Sequence, residues 1–198
     1  MPLIVYGGRG GRRRRVMFKK IVSFFFRCLV PIAYWSYGIE GVNALLLILP
    51  AKRIVPTLRR FGAAIGENAI IHSPLIIHNA GEDYRNLTIG SHCYVGREVF
   101  FDLKDKVTLG DRVTLSMRVT LITHTEVGAS RLSKTVTASH APIHIDSDAY
   151  LGANATVLEG VHVGEASLIG AASVVLKDVP PRVLVAGNPA KEIKSLHD

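Results

Sequence analysis

The sequence predicts an all-β solenoid, a parallel β-helix, with a helical extension before it and a short closing segment after it. Three observations predict it. From Ile145 an aliphatic residue falls on each sixth position: Leu151, Val157, Val163, Ile169 and Val175. The next residue is Gly at 152, 164 and 170 and Asp at 146. The position four after each aliphatic is small or β-branched, at Ala149, Ala155, Val161, Ser167, Ser173 and Val179. The same beat runs earlier, at Ile65, Ile71, Ile77, at Ile89, Val95, Phe101 and at Leu109, Leu115, Leu121. It matches no helical period, which would place apolar residues at i+3 and i+4 together.

Each hexapeptide reads as a short strand and a turn, and three of them, about 18 residues, close one triangular coil. The aliphatic side chain points inward, the small residue sits where faces meet, and Gly permits the tight backbone beside it. The phase survives an interruption, since Leu121 and Ile145 lie 24 residues apart, a multiple of six. Residues 126–142 are therefore an excursion from an unbroken coil. The step of eight from Phe101 to Leu109 is a two-residue insertion at a corner. These features divide the chain into a basic arm and apolar helical extension (1–62), a hexapeptide-repeat β-helix (63–180) and a C-terminal closing segment (181–198).

The repeats from Ile89 to Lys194 resemble the hexapeptide-repeat acyltransferases, nearest to the galactoside, maltose and nodulation O-acetyltransferases and their polysaccharide-modifying relatives. The residues that carry the likeness are Leu151-Gly-Ala-Asn-Ala-Thr-Val-Leu-Glu-Gly-Val, Ile169-Gly-Ala-Ala-Ser-Val-Val-Leu-Lys-Asp-Val-Pro-Pro and Val185-Ala-Gly-Asn-Pro-Ala-Lys. The resemblance implies a left-handed coil, a homotrimer, and acetyl-CoA bound between neighbouring subunits. The handedness comes from the family alone, since general chirality rules favour right-handed crossovers.

Acetyl transfer from a thioester to a hydroxyl needs a base for the hydroxyl proton, and histidine titrates near neutrality. The family places this histidine just after a coil and before the long loop. The matching stretch is Leu121-Ile-Thr-His-Thr, so the resemblance makes His124 the catalytic base. The galactoside enzymes have Gly-His-Pro where this chain has Thr123-His124-Thr125, a departure that bears on the loop. Carried over in the same way, Ala153 and Ala171 offer backbone groups to the pantetheine arm. Leu176 and Lys177 meet the nucleotide end, and Lys191 and Lys194 reach the 3′-phosphate. Asp102 is the candidate sugar ligand; it could equally orient His124, a role for which Glu126 competes. His140, in the excursion, is a further candidate substrate contact. The remaining histidines occupy variable repeat positions or the tail.

No metal is expected. The γ-class carbonic anhydrases share this solenoid, but they hold zinc with three histidines, and His140 and His144 stand at the wrong spacing. The cysteines Cys28 and Cys93 form no framework, and Cys93 falls at a small-residue position where packing is its role.

The net charge of +8 is uneven. Residues 9–20 hold Arg9, Arg12, Arg13, Arg14, Arg15, Lys19 and Lys20 and no acid. The glycine- and arginine-rich start at Gly7 reads as a disordered arm. Met17 to Trp35 is apolar but broken by Arg27 and Pro31, and Gly38 to Pro50 is a second apolar run. Neither reaches the roughly 20 clean apolar residues of a spanning helix. Two readings stay open for residues 1–50: helices packed on the end of the coil, or a peripheral anchor with aromatics in the interface and arginines on anionic headgroups. No recognised fold supports nucleic acid as a partner. The expected function is acetyl-CoA-dependent O-acetylation of a sugar hydroxyl on a cell-surface glycan or its precursor, in the cytoplasm or peripherally on the inner face of the membrane. The alternatives are N-acyl transfer to an amino-sugar nucleotide and a non-catalytic scaffold.

Overall fold

The computed structural model describes the backbone of residues 9–196 and the side chains of residues 24–26 and 28–196. Its body is a coil of three parallel faces. The first face stacks Ala64–Ile65, Leu87–Ile89, Val107–Leu109, Ile143–Ile145 and His162–Val163. The second stacks Ile70–Ile71, Tyr94–Val95, Thr114–Leu115, Tyr150–Leu151, Leu168–Ile169 and Val183–Ala186. The third stacks Leu75–His78, Val99–Asp102, Thr120–Leu121, Thr156–Val157 and Val174–Val175. The chain visits the faces in that order, so each strand pairs with the strand one coil away.

The hexapeptide beat is the register of these ladders. On the first face Ile65 pairs with Ile89, Ile89 with Leu109, Leu109 with Ile145 and Ile145 with Val163. All five are buried. Fully burying such a side chain is worth about 1.5–3 kcal/mol, and each coil repeats that gain three times. Ile71 and Leu75 of the earliest coil are as buried as their later equivalents, so the repeats from Ile65 to Ile77 belong to the prism.

Glycine after the aliphatic residue answers to the closeness of the next coil. A Cβ on Gly152 would lie 2.6 Å from the Ala171 amide nitrogen, and one on Gly90 would lie 2.4 Å from the Gly110 carbonyl oxygen. The residue that turns each corner takes a positive φ two places later, as at Asn154 (60°) and Ala172 (57°).

Two helices close the N-terminal end. Helix α1 (Arg9–Leu46) begins inside the stretch that composition suggested was an unstructured arm; Gly7 and Gly8 lie outside the described residues. It breaks at Tyr37 and Gly38, the latter at φ 60° and ψ −146°, a conformation open to glycine. The halves fold so sharply that a Cβ on Gly41 would sit 2.3 Å from the Ala33 carbonyl oxygen. Helix α2 (Ala51–Arg60) then lays Ile54 and Leu58 on the first coil. Val42, Leu46, Leu49, Ile54 and Leu58 are continuous with the coil interior. Tyr84, in the loop between the third and first faces, is fully buried and donates its hydroxyl to Asn43 Oδ1 at 2.8 Å. Burial pushes its phenol far above the usual range, helped by Glu40.

At the other end the chain turns back, and Lys191–Ser195 runs antiparallel to Val183–Ala186, closing the second face. No described helix is long and apolar enough to cross a membrane.

Candidate active site

The strand Thr120–Leu121 delivers the chain to the edge between the third and first faces, where the excursion begins. There the backbone reverses. His124–Thr125 pairs antiparallel with Ser139–His140, with His124 opposite His140, and the Ala141 amide donates to the Thr123 carbonyl at 3.0 Å. This short ladder is the stem of the excursion, which contains a 3₁₀ turn at Arg131–Lys134 and is exposed along most of its length.

Asp102 meets this stem from the neighbouring coil. It ends the strand Val99–Asp102, immediately before the corner with the two extra residues. Its side chain is 1% exposed, and Oδ2 lies 2.5 Å from Nδ1 of His124, which is 25% exposed. The same oxygen accepts from the Thr123 amide at 2.9 Å, and Oδ1 accepts from Asn79 Nδ2 at 2.9 Å and the Lys104 amide at 3.3 Å. Burial alone would raise the carboxyl pKa. The hydrogen bonds from His124, then Asn79 and Thr123, outweigh it and hold the group below its ordinary value. Asp102 is thus a buried anion with its lone pairs occupied. It is the acid on the imidazole, whereas Glu126 is exposed at the start of the excursion.

A carboxylate on Nδ1 favours the tautomer with hydrogen on that nitrogen and leaves Nε2 unprotonated. The arrangement can therefore accept a proton at Nε2 while Asp102 steadies the ring and its charged form.

A second pair stands beside the first. Nδ1 of His140 lies 2.7 Å from Asp105 Oδ2. The Asp105 amide donates to the Thr123 hydroxyl at 3.1 Å, and that hydroxyl also lies 3.0 Å from the Asp102 carbonyl oxygen. Burial raises the Asp105 carboxyl, and the bonds from His140 and the Lys106 amide, with the charges of both residues, together hold it below its ordinary value. His140 is largely exposed. Asn79, Thr123 and Asp105 were not singled out from the sequence. Asn79 had a readable signal, since it follows His78, the register partner of Asp102.

The other residues assigned from the resemblance are divided between edges. Leu176 and Lys177 are exposed on the His124 edge, two strands further along the third face, roughly 10 Å by the usual strand spacing. Ala153 and Ala171 lie on the edge between the second and third faces, one coil apart, with the Ala172 amide donating to the Ala153 carbonyl at 2.8 Å. Lys191 and Lys194 are exposed on the antiparallel closing strand. One chain brings together His124, Asp102 and His140, and it does not bring Ala153 or Ala171 to them. Among the described residues no group of three or more His, Cys, Asp or Glu could hold a metal.

The family described as "Hexapeptide repeat of succinyl-transferase" matches residues 142–177. A 2,3,4,5-tetrahydropyridine-2,6-dicarboxylate N-acetyltransferase of Clostridium perfringens is 45% identical over 75 residues, 38% of this chain and 32% of that protein. The chain therefore spans about a third of the length of that curated relative. A hexapeptide-repeat acetyltransferase of Vibrio cholerae, solved with acetyl coenzyme A, superposes with a TM-score of 0.70 at 26% identity, over 87% of this chain and 89% of the other. A maltose O-acetyltransferase of Clostridium difficile gives 0.69 at 22% identity, over 80% and 84%, a likeness of fold. In its repeat and in its three-faced coil, this chain is a hexapeptide-repeat β-helix protein with the fold of the hexapeptide-repeat acetyltransferases.

Proposed function

We propose that this protein is an acetyltransferase that moves the acetyl group of acetyl-CoA to a sugar hydroxyl, with His124 as general base. The observation that supports it most is the buried carboxylate of Asp102 on Nδ1 of a half-buried histidine, at the mouth of the excursion. Nε2 takes the hydroxyl proton as the oxygen attacks the thioester carbon. The carbon–sulfur bond then breaks, and the imidazolium returns the proton to the leaving thiolate. Asp102 is a positioning residue: it fixes the tautomer and offsets the charge on the ring.

The acetyl donor lies in a groove between two copies of the chain. Ala153 and Ala171 stand on a different edge from His124, so a homotrimer that sets one copy's second–third edge against the next copy's third–first edge assembles the site. Lys177, Lys191 and Lys194 carry positive charge suited to the phosphates. The acceptor is a cell-surface glycan unit or its lipid-linked precursor, met at the inner face of the membrane.

A nitrogen acceptor is the second reading, favoured by the C. perfringens N-acetyltransferase that is 45% identical over 75 residues. Mass spectrometry of products from acetyl-CoA and a mixture of neutral and amino sugars separates the two. An acid-stable, base-labile ester on a neutral sugar supports O-acetylation; an amide found on the amino sugars alone replaces it.

A further inference from the structure

Between Phe24 and Trp35, α1 carries apolar side chains on two opposite sides. Phe26, Leu29, Val30 and Ala33 pack against the core. Phe24, Cys28, Ile32 and Trp35 follow one another at i, i+4, i+8 and i+11, which at 100° per residue forms a single stripe on the opposite side, with Phe25 on its flank. This stripe is open: Phe24 is 68%, Phe25 59%, Ile32 57% and Trp35 88% exposed. An exposed stripe of three aromatics and an isoleucine marks a contact surface.

We infer that this stripe docks the protein on an anionic lipid surface, the helix lying along the headgroup layer. Charge selects that occupant. The same helix opens with Arg9, Arg12, Arg13, Arg14, Arg15, Lys19 and Lys20 and no acid. Two copies meeting through the stripe would bring like charges together, whereas anionic headgroups attract them. Length selects the geometry. Phe24 to Trp35 extends roughly 17 Å at 1.5 Å per residue, well short of a hydrocarbon core of about 30 Å. Tryptophan and phenylalanine favour the interface between chains and headgroups. The inference deepens the proposed membrane-side acceptor, yet the docking itself requires no catalysis.

Trp35 is the chain's one tryptophan, so its emission reports the surface directly. The full-length protein is titrated with vesicles of phosphatidylcholine alone and of phosphatidylcholine with 30 mol% phosphatidylserine, at low and high salt, with co-sedimentation in parallel. The expected result is a blue shift and pelleting with the anionic vesicles, weakened about tenfold or more by high salt. Phe24→Ser with Phe25→Ser, which keeps Trp35, should lower partitioning about tenfold or more. The double variant's melting curve reports its fold, and the salt and lipid arms need no variant. Unchanged emission with both vesicles overturns the inference, and so does equal binding to neutral vesicles. An emission already blue-shifted without lipid and dependent on protein concentration assigns the stripe to a second copy instead. His124→Ala should dock like the wild type, so loss of transfer and loss of docking are read separately.

Discussion

At the residue scale, Asp102 and His124 depend on each other. Asp102→Asn keeps the size of the side chain but removes the anion that stabilises the charged ring, and it can present its amide nitrogen to Nδ1. It should lower kcat roughly 10–100-fold with little change in KM for acetyl-CoA. A side chain that only supports the fold would instead lower active protein and leave kcat per folded site alone. The same carboxylate makes stability depend on acid. Its native pKa is depressed, so its contribution is fully present above the unfolded-state value of about 3.9 and is lost as pH falls through the lower native value. Denaturant titrations from neutrality down through that range should show wild-type stability falling more steeply than that of Asp102→Asn. Of the candidate site, His124 came from the resemblance, through the stretch Leu121-Ile-Thr-His-Thr, and Asp102 was carried over with it. Its choice between sugar and imidazole was not legible, because it depends on a contact across 22 positions. Thr123 was hidden for the same reason, as an ordinary polar residue whose value lies in facing a buried anion, whereas Asn79 was marked by its place after His78.

At the scale of elements, the coil is held by close stacking, and glycine marks the tightest points. Gly152→Ala should destabilise the protein by about 1–3 kcal/mol, because the new Cβ meets backbone of the next coil, which cannot rotate away. A thermal melt measures it. Tyr84→Phe tests the junction between helices and coil. It strands Asn43 Oδ1 in a buried setting and should cost about 1–3 kcal/mol, read by chemical denaturation. The inward aliphatic positions were legible to the residue, since period and phase both survive the excursion. The helical cap was less so. An arginine- and glycine-rich opening argued for disorder, and the sharp reversal at Gly38 is set by the packing of Gly41 on Ala33, a contact that no local propensity announces.

At the scale of the whole molecule, the division of the assigned residues between two edges is the most consequential feature. A single copy carries His124 on one edge and the alanines assigned to the pantetheine arm on another. Acetyl-CoA binding should therefore fall with dissociation of the oligomer, and sedimentation equilibrium should give a mass near three chains at concentrations where binding is intact. A monomer that binds acetyl-CoA at full affinity contradicts the shared groove. The division follows from counting hexapeptides, three to a coil with the excursion as one step, since Leu121, Ile145 and Leu151 fall on successive faces.

The proposed catalysis turns on His124 removing the acceptor proton while acetyl-CoA is bound. The most direct measurement is thiol release from acetyl-CoA with and without a sugar acceptor, for wild type and His124→Ala, beside calorimetric binding of acetyl-CoA to both. Sugar-dependent release should fall about 10²–10⁴-fold in the variant, with binding unchanged. Sugar-dependent release that survives His124→Ala would contradict that role.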